Sequence, residues 1–236
     1  MIHGIQAVIV DLDGTMVDTL GDFEVALNRM LCDFSLPSVD RAFIEATVGK
    51  GSEHLIRRTL AHVENISRKP PFSGINTSLR ATKLVAYDTA WHSYQSHYLA
   101  CNGQASEVYA GVMSGLQALQ SRGLKMACLT NKPLAFAKPL LKAKGLDGFF
   151  SHVFGGDSFA RKKPDPLPLL KTCAALGTLP KHTLMIGDSS NDAQAAHAAL
   201  CPVVLMTYGY NHGQDIRSTA AMAYLNSLAQ LPPLLS

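Results

Sequence analysis

Four apolar residues, Ala7 to Val10, run directly into two carboxylates, Asp11 and Asp13, and this junction limits the folds open to the chain. The run is too short to span a bilayer and is bounded by polar residues. It therefore reads as a strand buried on both faces, the pattern of a parallel sheet. Charge beside such a strand is costly unless it is paired or bound to a metal. Open α/β sheets bind ligands at the carboxyl ends of their strands, which is where both acids fall. Two local readings compete with a site: Asp-Gly at 13–14 suits a hairpin turn, and Asp18 or Thr19 suits a helix cap. A hairpin needs a second strand, yet Leu20, Phe23, Leu27, Met30 and Leu31 recur at helical spacing, so the pattern is strand, loop, helix.

Residues 19–103 are almost entirely helical in pattern. One helix is expected over 19–34, and a second is capped by Ser38 and runs through Val48, with Asp40 near its positive end. Gly49-Lys50-Gly51 breaks the chain, SEHLIRRTLAHV resumes the helical pattern, and 67–76 is a polar loop rich in Pro and Gly. A long helical stretch follows to about Leu99, with Trp91, Tyr94 and Tyr98 spaced for core packing. From Val108 onward strands alternate with helices: strands over 124–130, 152–155, 183–187 and 203–206, with a weaker one at 221–224. The helices between them cover 111–122, 133–144, 166–176 and 191–200, and Pro139 implies a kink or a late start in the second. Alternation of this kind implies a parallel sheet. The chain thus divides into an α/β core, residues 1–18 and 104–236, and an all-helical insert, residues 19–103.

Bulk properties exclude several classes. The 236 residues are 47% hydrophobic and 17% charged, enough for a sizeable core and against disorder. The net charge of +3 is mild and Lys and Arg are scattered apart from Arg161-Lys162-Lys163, so a nucleic-acid partner is not expected. No run is long enough for a membrane span and no signal peptide is evident, so a soluble cytoplasmic protein, monomer or homodimer, is expected. Five widely spaced cysteines without a CxxC fit reduced, mostly buried thiols.

Three further segments carry residues suited to an anionic ligand. Thr130-Asn131 puts a hydroxyl and an amide at a strand-to-helix junction, where free backbone N–H groups favour anions, although either residue would also serve as a helix cap. In RKKPDP (161–166) the prolines stiffen the loop around its lysines. In MIGDSSNDAQAA (185–196) Asp188 ends a buried strand and Asp192 follows four residues on. Carboxylates gathered from different strand ends repel unless a cation lies between them, and hard oxygen ligands suit Mg²⁺. Helix N-terminal acids stabilised by the dipole are the plainer alternative, better for Asp192 than for Asp188.

DLDGTMVDT fits the DxDGTxxDS/T signature of the haloacid dehalogenase-like phosphohydrolases, and the other three segments follow that family's order. The resemblance covers nearly the whole chain. It implies a Rossmann-like parallel-sheet core with an inserted helical cap, and phosphoryl transfer through an aspartyl-phosphate. On it, Asp11 is the nucleophile and Asp13 the acid/base. Mg²⁺ is held by Asp11, Asp188 and the backbone carbonyl of Asp13, with Asp192 orienting a metal water or Lys163. Gly14, Thr130, Asn131 and Lys163 hold the phosphoryl oxygens, Lys163 being the lysine that fits a KPxP setting. Family members that act on carbon–halogen bonds lack the second Asp, and those that cleave phosphonates replace it, so a phosphate ester is implied. LPSVDRAFIEATVGKGSEHLIRRTL, with GVMSGLQALQSRG and TNKP downstream, resembles the bacterial phosphoglycolate phosphatases. A small phosphorylated metabolite, 2-phosphoglycolate, is the expected substrate, and Lys50 is either the reader of its carboxylate or a solvated loop lysine. A sugar phosphatase, a phosphoglucomutase-type mutase and a non-catalytic phosphate-binding relative share much of this pattern, though the last would normally have lost one of the acids.

Overall fold

The computed structural model describes residues 1–68 and 85–236. In chain order the strands are β1 (Ala7–Val10), β2 (Val17–Asp18), β3 (Glu107–Val108), β4 (Lys125–Leu129), β5 (His152–Phe154), β6 (Thr183–Gly187), β7 (Val203–Met206) and β8 (Ala223–Leu225). The α-helices are α1 (Leu20–Asp33), α2 (Arg41–Thr47), α3 (Ser52–Arg68), α4 (Tyr87–Cys101), α5 (Val112–Ser121), α6 (Leu134–Ala143), α7 (Leu167–Leu176) and α8 (Ser190–Ala198). Six strands form one sheet in the order β5-β4-β1-β6-β7-β8, and every pairing in it is parallel. This is the Rossmann-like α/β architecture.

Strand alternation explains the two layers of helices. Val8 and Val10 of β1 face a cluster shared with Val112, Leu116 and Leu119 of α5 and Leu140 and Leu141 of α6. Ala7 and Ile9 face the other side, with Leu169 and Cys173 of α7 and Ala193 and Ala196 of α8. All four residues of β1 are fully buried, each large aliphatic side chain contributing about 1.5–3 kcal/mol. Register then fixes the site. Val10 stands level with Cys128 of β4 on one side and Ile186 of β6 on the other. Asp11, Thr130 and Asp188 therefore emerge at the same edge of three adjacent strands.

The helical segment has its own apolar cluster, in which Leu27, Met30 and Leu31 of α1 meet Ile44, Ile56, Tyr94 and Tyr98. The chain leaves and re-enters the sheet region through a two-stranded antiparallel ribbon, Val17 opposite Val108 and Asp18 opposite Glu107. Just beyond it, fully buried Asp22 accepts hydrogen bonds from the backbone N–H of Gly103 and of Ala105, both at 2.8 Å. One carboxylate thus ties the outgoing strand of chain to the returning one.

Several local expectations are corrected. Asp40, not Ser38, caps α2, its side chain accepting from the Phe43 N–H at 2.8 Å. Helix α3 continues to Arg68, so positions 67 and 68 of the expected loop are helical, and 69–76 lie outside the described residues. Helix α6 starts at Leu134 and runs through Pro139 without a late start. The last strand sits at Ala223–Leu225, displaced from 221–224. Cys32 is exposed and the other four thiols are buried, all of them free. No helix among the described residues is long and apolar enough to cross a membrane.

Replacing Asp22 with Ala removes a buried carboxylate from two N–H groups, those of Gly103 and Ala105, each of which loses a charge-assisted bond. Urea unfolding of Asp22→Ala is expected to show a loss of about 2–4 kcal/mol, whereas Asp22→Asn, which keeps one acceptor, loses less than half of that.

Candidate active site

The floor of the site is a buried lysine between two acids. Lys163 Nζ lies 2.6 Å from Asp192 Oδ1 and 3.0 Å from Asp11 Oδ1, and it donates to the Leu129 carbonyl at 2.9 Å. Asp192 has no oxygen to spare, because Oδ2 accepts from Ser189 Oγ at 2.7 Å and from the N–H groups of Ser189 and Asp188 at 3.1 and 3.3 Å. That is the capping box of α8, so the helix-terminus reading of Asp192 and its bond to Lys163 are both realised. Asp188 accepts from Thr15 Oγ1 and from the Tyr210 N–H, each at 2.6 Å.

Asp11, Asp188 and Asp192 each offer an oxygen within 4.8 Å of the others, and all three residues are buried. Burial raises Asp11 to about 7, against the pull of Lys163 and with help from Asp192 and Asp13. Burial, then the neighbouring Asp192 and Asp11, hold Asp188 well above the usual carboxylate range. Lys163 moves the other way: burial works against its charge, but Asp11 and Asp192 outweigh it and keep the ammonium above its ordinary value. Asp11 Oδ1, although close to Lys163, has no hydrogen-bond partner.

Asp13 takes a different direction. Its carboxylate faces Lys132, whose Nζ donates to Oδ1 at 2.8 Å and Oδ2 at 3.1 Å. The same ammonium sits 4.5 Å from the ring centroid of Phe23 and 4.7 Å from that of Tyr98. Lys132 follows Thr130-Asn131 directly, a cue in the residues themselves, but nothing in the sequence says that its side chain turns inward. Tyr210 and Thr15 carried no such cue, since their bonds to Asp188 span 22 and 173 residues.

The junction residues are not helix caps. The first N–H of α6, that of Leu134, is taken by Asp157 at 2.9 Å, while buried Thr130 accepts the Lys132 N–H at 3.1 Å. Asn131 Nδ2 donates to the carbonyls of Lys163 at 2.8 Å and Gly49 at 3.0 Å, and Asn191 Nδ2 reaches the same Gly49 carbonyl at 3.2 Å. Two core amides thereby grip the loop between α2 and α3. A small, partly open cleft remains, with Asp11, Asp13, Thr130, Asn131 and Lys132 below and Phe23, Val48, Ser52 and Leu55 above. Lys50 is exposed and lines a neighbouring cavity with His54, Arg57 and Lys162. Burial and then the charge of Lys50 push His54 and His212 below the usual imidazole value. Arg161 is an exposed surface charge paired with Asp165 at 2.9 Å.

The comparisons with known proteins agree with this geometry. A family model described as haloacid dehalogenase-like hydrolase matches residues 5–199. A phosphoglycolate phosphatase of Thiobacillus denitrificans is 38% identical over 226 residues, 96% of this chain and 93% of that protein. The plasmid phosphoglycolate phosphatase of Cupriavidus necator is 38% identical over 230 residues, 98% of this chain and 93% of its own. The crystal structure of a predicted phosphoglycolate phosphatase from Haemophilus somnus superposes with a TM-score of 0.88 at 30% identity, covering 98% of each chain. The chain belongs to the haloacid dehalogenase-like hydrolases.

Gly14 shows how tightly the acids are packed. Its φ is +82°, and a Cβ there would stand 2.2 Å from Asp188 Oδ2. Gly14→Ala is expected to lower the thermal midpoint by at least 4 °C, since the left-handed backbone alone costs roughly 1 kcal/mol, and the clash adds to it.

Proposed function

We propose that the protein is a Mg²⁺-dependent phosphatase that hydrolyses 2-phosphoglycolate to glycolate and inorganic phosphate through an aspartyl-phosphate. The observation that carries this reading is the convergence of Asp11 and Asp188, at the ends of adjacent parallel strands, with Lys163 from the loop after β5, while Asp13 lies two residues beyond Asp11 on its own lysine. The substrate follows from the names of the relatives, which match along nearly the whole chain.

The residues fit a hard divalent cation. The donors are all oxygens, three carboxylates are buried together, and Asp11 Oδ1 is without a hydrogen bond. Asp11, Asp188 and the backbone carbonyl of Asp13 would hold it, with Asp192 kept for Lys163. Mg²⁺ supplies charge that screens the attacking carboxylate from an anionic substrate. Asp11 attacks phosphorus in line and forms the phosphoenzyme, while Asp13 protonates the leaving oxygen and later takes a proton from the hydrolytic water. Thr130, Lys163 from its place between Asp11 and Asp192, and the N–H groups near Gly14 and Asn131 receive the three phosphoryl oxygens, over which the transition state spreads its charge. Residues 19–103 act as a cap whose loop at 49–51 closes the site.

The decisive assay is phosphate release. Wild type is expected to liberate one phosphate per 2-phosphoglycolate, and Asp11→Ala, folded by circular dichroism, to lose at least about 10³-fold in kcat. A mutase would interconvert isomers without net phosphate. Retention of a tenth of the activity by the variant would remove Asp11 from the nucleophile's role.

The metal is tested separately by titration calorimetry. One Mg²⁺ site is expected, weakened at least tenfold in Asp188→Asn. Asp13→Asn should change the affinity less than threefold, because its carboxylate lies on Lys132 and its backbone carbonyl is unaltered.

A further inference from the structure

The cleft holds a cation that the proposed chemistry does not use. Among the described residues that line it, Lys132 is the only Lys or Arg. Its side chain is 2% exposed. An ammonium has three N–H donors, and the oxygens within reach of this one are the two of Asp13, leaving one donor directed among aromatic rings. The roof opposite is formed by Phe23, Val48 and Leu55 with the hydroxyl-bearing Ser52. Tyr98, whose ring supports the ammonium, is fully buried and its hydroxyl has no partner.

Lys163 is not available for a second anion. It is spent on Asp11, Asp192 and the Leu129 carbonyl at the floor. Lys50 is exposed and belongs to the neighbouring cavity, with the Gly49 carbonyl and its two amide donors standing between the two spaces. Lys132 lines the same cleft as Asp11, so a small substrate with its phosphoryl group on Asp11 has its other end within reach of this ammonium.

Resting on the phosphoglycolate reading above, we propose that Lys132 is the specificity-determining residue that receives the substrate's carboxylate, and that Lys50 is not. The carboxylate takes the donor left over from Asp13. Desolvation by Phe23, Tyr98 and Leu55 strengthens that bond relative to one made in water. A small carboxylate-bearing phosphate is thereby preferred over an uncharged alkyl phosphate of the same length. An Arg at 132 would not serve equally, because its planar fork needs more room than this cavity has.

The test uses two non-hydrolysable phosphonates and the full chain with Mg²⁺. 3-Phosphonopropionate replaces the bridging oxygen of 2-phosphoglycolate with a methylene, and propylphosphonate lacks the carboxylate. Calorimetry on wild type is expected to show the first binding about 10- to 100-fold tighter, the range of one charge-assisted hydrogen bond. In Lys132→Met the ratio should fall below threefold while propylphosphonate binds within threefold of wild type. Lys132→Gln gives the same reading if the methionine variant does not fold. Persistence of the preference in either folded variant, equal loss of both ligands, or loss of the preference in Lys50→Ala would each overturn the assignment. If wild type itself shows no preference, the substrate reading fails first and this inference with it.

Discussion

Everything at the site depends on the cost of burying like charges at the end of an apolar sheet. Three carboxylates, Asp11, Asp188 and Asp192, are held with oxygens inside 4.8 Å of one another, where water does little to screen them. The sheet tolerates this because each acid is answered locally. Lys163 bridges two of them, the start of α8 gives its N–H groups to Asp192, and Thr15 with the Tyr210 backbone satisfies Asp188. Those answers come from four separate stretches of chain. Their convergence requires the strand register to be right, since a shift of one residue would turn β1's acids away from the others.

The same requirement links the helical segment to the core. Its attachment is polar at the points nearest the chemistry: Asp22 receives the returning chain at Gly103 and Ala105, and Gly49 is gripped by Asn131 and Asn191. Away from these points the segment is held by its own aromatic cluster, in which Phe23 and Tyr98 stand 5.5 Å apart and Tyr98 and Phe136 of α6 4.8 Å apart. Lys132 is inserted where the two kinds of contact meet. It is a core residue by sequence, yet its ammonium rests on rings of α1 and α4.

Much of this was legible from residues alone, for a physical reason. A strand end and the loop after it are short, so DLDGT, TN, KPDP and GDSSND each state their own geometry within a few positions. The alternating half of the chain was equally plain because period-two burial and turn chemistry are local. What escaped was set by packing at a distance. Ser38 was read as the cap of α2 and Asp40 as an acid near its positive end, whereas the helix starts two residues later and Asp40 takes the Phe43 N–H. The ribbon of β2 and β3 is two residues per strand, too short to leave a pattern. The inward turn of Lys132 depends on Asp13, 119 positions away, whereas Lys50, in its conspicuous glycine setting, lies outside the cavity.

The two lysines also set a limit on what the site can do unaided. Four acids, Asp11, Asp13, Asp188 and Asp192, face only Lys132 and Lys163 among the described buried cations, so the acids exceed the bases by two. Burial raises Asp11 to about 7 against the pull of Lys163, and Asp192 and Asp13 add to the rise. A phosphate dianion brought to Asp11 would add to it, and the backbone N–H groups at the strand ends offer only partial charges in return. Lys163 alone does not make up the difference, because its single charge is already shared between Asp11 and Asp192. A divalent cation held by Asp11 and Asp188, as proposed, would remove the excess without disturbing either lysine. The two lysines are thereby divided by the acids they hold, Lys163 between Asp11 and Asp192 at the floor and Lys132 on Asp13.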